Sequence, residues 1–179
     1  MMPYEPPRLR AVTPMPDTSP RQTASPSTLA DLLDRERIID RLTELFLATD
    51  RKDWPAVEAC FAPQVEFDMS SVGAGPASSK RPSEIAAGWR TGLAGVEHVH
   101  HQAGNFVVHT NGDRAAASCY GIAYHYRARR DGRNTRVFVG GYDYQLARDT
   151  ASPQPAWRIT AMRFTLKFLD GNPALEAAE

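Results

Sequence analysis

Two polar side chains, Asp50 and His101, occupy positions at which the surrounding pattern favours apolar residues. Asp50 ends an amphipathic helical segment on the apolar side of that segment. His101 lies in the run 98–105, which opens a series of long predicted strands. If the fold brings both side chains into one pocket, the carboxylate orients the imidazole and the pair forms a general base.

Each candidate also has a purely structural interpretation. His101 could be a core histidine bonded to backbone, Asp50 could cap the next turn, and His125 could lie half-solvated at the mouth of a sheet. Metal binding is a further alternative, because His98 and His100 precede His101. Successive side chains of a strand point to opposite faces, so these three histidines do not share one face, and we expect no metal site.

The composition predicts a single domain of 179 residues with a hydrophobic content of 42%. Lys+Arg and Asp+Glu are both 21, so no net charge attracts nucleic acid or an anionic membrane. Cys60 and Cys119 lie in apolar patterns typical of reduced core residues. The chain has no apolar run of about 18 residues and no signal-peptide centre, so we expect a cytoplasmic protein.

The chain divides into three predicted parts. Residues 1–26 contain seven of the fourteen prolines and form a predicted disordered arm. Residues 27–172 form the folded domain, and residues 173–179 a flexible tail. Five arginines surround the turn 131–132, and we interpret them as a solvated hairpin tip, with a phosphate or acidic-partner site as the alternative: Arg127, Arg129, Arg130, Arg133 and Arg136.

Helices precede strands along the domain. Thr28 and Asp31 have the spacing of a capping box, and Asp53 is a candidate cap for a second helix that Pro63 ends. A Gly- and Ser-rich loop over 70–80 precedes a third helix from Ser83. The first helix carries a predicted apolar stripe of Leu29, Leu32, Leu33, Ile39, Leu42 and Phe46.

From about residue 96 the hydrophobic period changes to two residues. This pattern predicts four strands, over about 96–109, 114–127, 136–146 and 157–168. Asn111-Gly112 is a strong hairpin signal. The order predicts an α+β fold whose helices pack on a strongly curved antiparallel or mixed sheet around a cone-shaped cavity. On the second long strand one face is small up to His125, which leaves room for a ligand: Ala117, Cys119, Gly121 and Ala123.

Six stretches of the chain resemble the SnoaL-like branch of the nuclear-transport-factor-2-like superfamily. They are ATDRKDW (48–54), FAPQVEFD (61–68), HQAGN (101–105), GDRA (112–115), GY (141–142) and WRI (157–159). The resemblance covers roughly residues 29–172 and implies the cystatin-like α+β barrel of that superfamily. The fold hosts dehydratases, isomerases, cyclases and non-catalytic members, so the resemblance alone assigns no reaction.

Within the superfamily the chain looks most like scytalone dehydratase and lindane dehydrochlorinase. The resemblance implies His101 as the base, Asp50 as its orienting carboxylate and His125 as a polar pocket group. Two substrate-binding tyrosines of scytalone dehydratase are replaced here, and the matching position of the dehydrochlorinase lysine is apolar. The candidate substrate-binding residues are Thr49, Met69, Trp89, Asn105, Tyr142, Tyr144 and Phe164, the first two of which stand at the tyrosine positions.

Three hypotheses follow from these observations. The first is a cofactor-free lyase or isomerase, of the dehydratase or cyclase type, acting on a small, largely apolar cyclic substrate. The second is a non-catalytic binding or assembly domain, and the third is a partner similar to the small subunit of ring-hydroxylating dioxygenases. By resemblance we also expect a homodimer or homotrimer, with an apolar sheet face that carries Tyr124, Tyr126, Phe164 and Phe168.

Overall fold

The computed structural model describes residues 28–150 and 156–176. The predicted arm 1–26 lies outside these residues, as do the segment 151–155 and the end of the predicted tail. The elements in chain order are α1 (Leu29–Asp50), α2 (Trp54–Ala59), β1 (Phe61–Asp68), a 3-10 turn (Ser70–Val72), β2 (Ser78–Lys80), α3 (Pro82–Gly92), β3 (His98–Asn111), β4 (Arg114–Tyr126), β5 (Thr135–Asp149) and β6 (Ala156–Gly171).

Both predicted helix caps are present. The Thr28 hydroxyl accepts a hydrogen bond from the Asp31 backbone N–H at 3.1 Å, and the Asp31 carboxylate accepts one from the Thr28 N–H at 2.8 Å. Asp53 accepts from the Ala56 N–H at 3.2 Å and starts α2. Each cap supplies an acceptor for backbone donors that have no partner within the helix.

The apolar stripe predicted for α1 is wrong in the first turns of the helix. Leu29, Leu32 and Leu33 are 73%, 54% and 47% exposed, so these turns lie outside the core. The buried face begins at Ile38 and continues through Leu42. The part of α1 that packs against β3 and β6 is therefore its second half, which ends at the candidate site.

The strands form one mixed, curled sheet in the order β2-β1-β6-β5-β4-β3, which confirms the α+β prediction. β1 and β6 pair in parallel, and every other pair is antiparallel. The pairing of β3 with β4 is interrupted by a bulge between Gly104 and Val107, and β5 and β6 are irregular at two points. Bulges of this kind bend a sheet, which helps it to close around a cavity.

The segment between α2 and α3 is more regular than we predicted. Helix α2 ends at Ala59, and Pro63 lies inside β1 rather than terminating the helix. Within the predicted loop 70–80, a short edge strand pairs with β1, with Val65 opposite Lys80. No helix in the described ranges is long and apolar enough to cross a membrane.

The arginine-rich hairpin binds the C-terminal segment 172–176, so the prediction of a solvated tip is wrong for three arginines. Arg127 donates to the Glu176 carbonyl at 2.9 Å, and Arg129 donates to the Leu175 carbonyl at 3.3 Å. Arg136 pairs with the Glu176 carboxylate. Leu175 is fully buried, so residues 173–176 do not form the loose tail that we predicted.

Candidate active site

A cavity of about 340 Å³ lies between the sheet and the helices. Most of its wall is apolar, and aromatic rings from five elements contribute: Phe46, Phe67, Trp89, Phe138, Tyr142 and Phe164. Few polar side chains reach the wall: Thr49, Lys80, Glu84, His101 and His125. An apolar pocket with a few convergent polar groups is the usual form of a small-molecule site.

The structure brings Asp50 and His101 into direct contact at the wall of this cavity. His101 Nδ1 lies 2.6 Å from Asp50 Oδ1, and the His101 backbone N–H donates to Asp50 Oδ2 at 3.0 Å. The two side chains are only 14% and 11% exposed. Because the carboxylate accepts at Nδ1, the neutral ring carries its proton there and leaves the lone pair on Nε2.

The position of Asp50 depends on the turn that follows α1. Lys52 has a positive φ of 55°, and its ammonium donates to the backbone carbonyls of Leu93 at 3.1 Å and Val96 at 2.5 Å. These bonds tie the end of α1 to the segment that enters β3. A carboxylate at the C-terminal end of a helix opposes the helix dipole, so Asp50 stands where stability alone would not favour it.

His125 lies on β4 beside the pair of Asp50 and His101, which we call the dyad. The Nδ1 atom of His101 faces an acceptor, whereas the Nδ1 atom of His125 faces a donor. In the β3–β4 register His101 faces Ala123 and Val99 faces His125, so the two histidines are diagonal neighbours. Burial, reinforced by the charge of Arg136, lowers the pKa of His125 to about 4. The ring is therefore neutral near pH 7. Its Nδ1 lies 3.1 Å from the Arg136 guanidinium, which can only donate.

Two residues that we expected in the pocket lie outside it. Asn105 is exposed in the β3 bulge with a φ of 57°, and beyond the bulge the strand parity changes so that Phe106 and Val108 turn inward. Tyr144 is fully buried in the core behind Tyr142, with the two rings stacked at 5.9 Å between centroids. Neither side chain lines the cavity.

The other expected substrate-binding residues line the cavity: Thr49, Met69, Trp89, Tyr142 and Phe164. Phe164 is only 3% exposed, so the prediction that it also contributes to an outer sheet surface is wrong. The Thr49 hydroxyl donates to the Leu45 carbonyl at 2.8 Å, so its proton is not available to a ligand. Burial raises the pKa of Tyr142 well above its usual value, and its phenol stays protonated.

The small face of β4 accommodates protein more than ligand. Of the residues that we expected to leave room, only Ala123 lines the cavity, together with His125. A Cβ atom at Gly121 would lie 2.4 Å from Cε2 of Tyr142, so the missing side chain makes space for that ring. The open volume therefore lies at the His125 end of the strand.

Sequence reasoning identified Trp89 on α3 but not the polar groups that β2 and α3 contribute. Lys80 lines the cavity with its ammonium 5.3 Å from the centroid of Phe67, and Glu84 lines it while bound to Arg81. The loop composition around Lys80 concealed the edge strand that carries it. Across the described ranges, no cluster of three or more His, Cys, Asp or Glu side chains could hold a metal ion.

The fold agrees with comparisons to known proteins. The family model of the SnoaL-like domain matches residues 30–163, and the chain belongs to that family. A protein from Kribbella flavida superposes with a TM-score of 0.75 at 23% identity, over 82% of this chain and 99% of its own. No curated protein matches the chain.

Two further solved structures carry the enzyme names that the sequence resemblance raised. A hexachlorocyclohexane dehydrochlorinase, LinA-type3 from Novosphingobium barchaimii LL02, has a TM-score of 0.66 at 12% identity, covering 86% of this chain and 99% of its own. A proposed scytalone dehydratase from Novosphingobium aromaticivorans DSM 12444 has a TM-score of 0.66 at 12% identity, covering 83% and 97%. At these identities the similarity establishes the shared fold.

Proposed function

We propose that this protein is a cofactor-free lyase or isomerase, of the dehydratase or cyclase type, that acts on a small and largely apolar cyclic substrate. The observation that carries the proposal is the 2.6 Å contact between His101 Nδ1 and Asp50 Oδ1 at the wall of an apolar cavity. The ring N–H of a histidine with only a structural role could be satisfied by a backbone carbonyl. Here the carboxylate accepts from both the ring and the backbone of the same residue, which preorganises a base.

In the proposed first step, Nε2 of His101 removes a proton from a carbon next to a substrate carbonyl. The C–H electrons form a carbon–carbon double bond and the carbonyl oxygen becomes an enolate, while Asp50 stabilises the new imidazolium. His125 and Tyr142 are the donors available to the developing oxyanion.

In the second step the enolate re-forms the carbonyl and completes either reaction type. In a dehydration the enolate expels a hydroxyl group from the carbon next to the deprotonated carbon, and a double bond forms between these two carbons. The proton on His101 leaves with the hydroxyl group as water. In an isomerisation the same proton returns to a different carbon. Neither route changes the oxidation level or requires an added reactant.

The lining supports a cyclic, largely apolar substrate. Phe46, Trp89 and Phe164 offer flat apolar surfaces, and aromatic rings bind flat apolar molecules through area and edge contacts. Lys80 adds a cationic group to the wall. A substrate with one polar edge and a hydrocarbon body fits this distribution.

The test is a screen of cyclic hydroxy-ketones followed by NMR spectroscopy in D₂O, which detects both product formation and deuterium uptake next to the carbonyl. We expect His101→Ala to lower the rate by about 10²–10⁴-fold, the usual contribution of a positioned base. His109→Ala is the matched control, because His109 lies exposed on the same strand. Equal rates in the two variants would remove His101 as the base.

The second candidate is a small-molecule-binding or assembly domain without chemistry. The observation that favours it is the lack of a free hydrogen-bond donor at Thr49 and Met69, the two positions at which scytalone dehydratase has tyrosines. Thr49 has committed its proton to a backbone carbonyl, and Met69 has no strong donor. Ligand binding by the wild type without deuterium exchange on any tested ketone would support this candidate.

A further inference from the structure

Arg136 connects the candidate site to the C-terminal segment 172–176. Its guanidinium is largely buried, with 13% of the side chain exposed. One nitrogen, Nη2, donates both to His125 Nδ1 at 3.1 Å and to the carboxylate of Glu176. The other, Nη1, donates to the second oxygen of that carboxylate at 2.7 Å, and the group lies 5.1 Å from the centroid of Phe138.

This arrangement determines which nitrogen of His125 carries the proton. A guanidinium has donors and no acceptor, so the Nδ1 atom facing Arg136 must accept. A neutral imidazole that accepts at Nδ1 carries its hydrogen on Nε2. His125 lines the cavity, and Nε2 is the nitrogen left for a ligand.

We propose that Arg136, held by Glu176, is a positioning residue that fixes His125 as a neutral hydrogen-bond donor, so that the cavity selects ligands with an oxygen acceptor beside the reacting carbon. The two histidines then present complementary nitrogens: His101 offers a lone pair and His125 offers an N–H. The catalytic meaning of this pairing rests on the proposed function, whereas the tautomer of His125 does not.

Removal of Arg136 should reverse the role of His125. The charged and titratable groups that face His125 are Arg136 on β5, His101 on β3, Asp50 on α1 and Glu176 in the C-terminal segment. Because Arg136 Nη2 bridges Glu176 and Nδ1, its loss leaves a carboxylate as the group nearest Nδ1. A carboxylate accepts, so Nδ1 should gain a proton, either in the other neutral tautomer or as an imidazolium.

The experiment is long-range ¹H–¹⁵N NMR spectroscopy of the histidine rings in the full chain between pH 5 and 8. In the wild type we expect His125 to be neutral and protonated at Nε2 across this range. In Arg136→Met we expect protonation at Nδ1, with the titration of His125 moved to higher pH. A wild-type His125 protonated at Nδ1 would overturn the proposal, as would an Arg136→Met spectrum with His125 unchanged.

Two further variants separate positioning from general loosening of the C-terminal segment. Arg127→Met removes a hydrogen bond to the Glu176 carbonyl without touching the His125 ring, so we expect the His125 signals to stay as in the wild type. If Arg127→Met altered them as Arg136→Met does, Arg136 would have only a structural role. If Arg136→Met does not fold, Glu176→Gln is the deciding variant. Arg136 is still present in that variant and can still donate to His125 Nδ1, so a change of the His125 tautomer would refute the proposal.

The ligand preference is tested with 1-indanone and indane, which differ by one carbonyl oxygen. One hydrogen bond to the carbonyl should make 1-indanone bind about 5–10-fold more tightly than indane to the wild type, and Arg136→Met should remove most of this ratio. Equal affinities in the wild type would overturn the ligand preference. Neither this readout nor the NMR tautomer needs turnover, so failure of the lyase or isomerase hypothesis would leave both results interpretable.

Discussion

Replacing Asp50 with asparagine tests the dyad with the smallest change of shape. The carboxylate accepts two hydrogen bonds from His101, one from the backbone N–H and one from the ring. An asparagine side chain has one oxygen and one amide nitrogen. The backbone N–H is an obligatory donor, so the oxygen should turn to it and the amide N–H should face Nδ1. The ring proton then moves to Nε2, so the nitrogen that acts as the base in the proposed reaction becomes a donor.

The expected effects on activity and on stability differ widely. Loss of the base and of the charge that stabilises the imidazolium should lower the rate by about 10³–10⁴-fold. Two charge-assisted hydrogen bonds of roughly 1.5–3 kcal/mol each are replaced by neutral ones of roughly 1 kcal/mol each. Removing a carboxylate from the C-terminal end of a helix returns about 0.3–1 kcal/mol. The free energy of unfolding should therefore fall by about 2 kcal/mol, or about 4–8 °C in Tm.

The assay combines the turnover rate, thermal unfolding and ¹H–¹⁵N spectra of the His101 ring. Asp53→Asn is the matched control, because Asp53 caps α2 at 3.2 Å and asparagine caps helices equally well. We expect the control to keep its rate. The reasoning is refuted if Asp50→Asn leaves His101 protonated at Nδ1 and keeps the rate within a factor of about ten of the wild type.

Three further predictions concern packing, pH and assembly. Gly121→Ala should lower the free energy of unfolding by about 1–3 kcal/mol in denaturant titrations, because the new Cβ would lie 2.4 Å from a ring carbon of Tyr142. The control is Gly88→Ala, which lies in a helix with open space around it and should be neutral or stabilising. The pKa of His125 is about 4 in the folded protein and about 6.5 in the unfolded chain, so unfolding takes up a proton between these values. Stability should therefore fall as the pH is lowered from about 7 to 4, by on the order of 3 kcal/mol, and His125→Gln should remove this part of the loss. The outer face of the sheet includes Phe168, which is 56% exposed, and we expect the protein to self-associate through this face. Sedimentation velocity should show a smaller species for Phe168→Asp than for the wild type. A species of unchanged size would exclude this face as the interface.

Features that depend on neighbours in the chain were predictable. The caps at Thr28 and Asp53 each require an acceptor within three residues of its donor. The hairpin at 111–112 follows from a glycine that adopts a φ of 59°. The sets of β4 residues that share a face follow from strict alternation, since that strand has no bulge in its pairing with β5. In each case the energy that selects the structure is local.

Features that depend on long-range pairing were not predictable. The bulge in β3 arises from its pairing with β4, and one extra residue moved Asn105 out of the predicted face. Tyr144 alternates with its neighbours as Tyr142 does, and only the packing behind the cavity decides that one ring is core and the other is lining.

The sequence by itself determined the α+β architecture, the N-terminal caps of α1 and α2 and the pair of residues capable of base chemistry, because periodicity and capping act over a few residues. The tertiary structure alone decided where the open volume lies, which tyrosine reaches it and which side chain meets Nδ1 of each histidine. The bond from Arg136 to Glu176 joins groups 40 residues apart, and no local pattern encodes such a contact. The hydrogen-bond partners of His101 and His125 come from α1 and β5, which only the packed fold brings beside them.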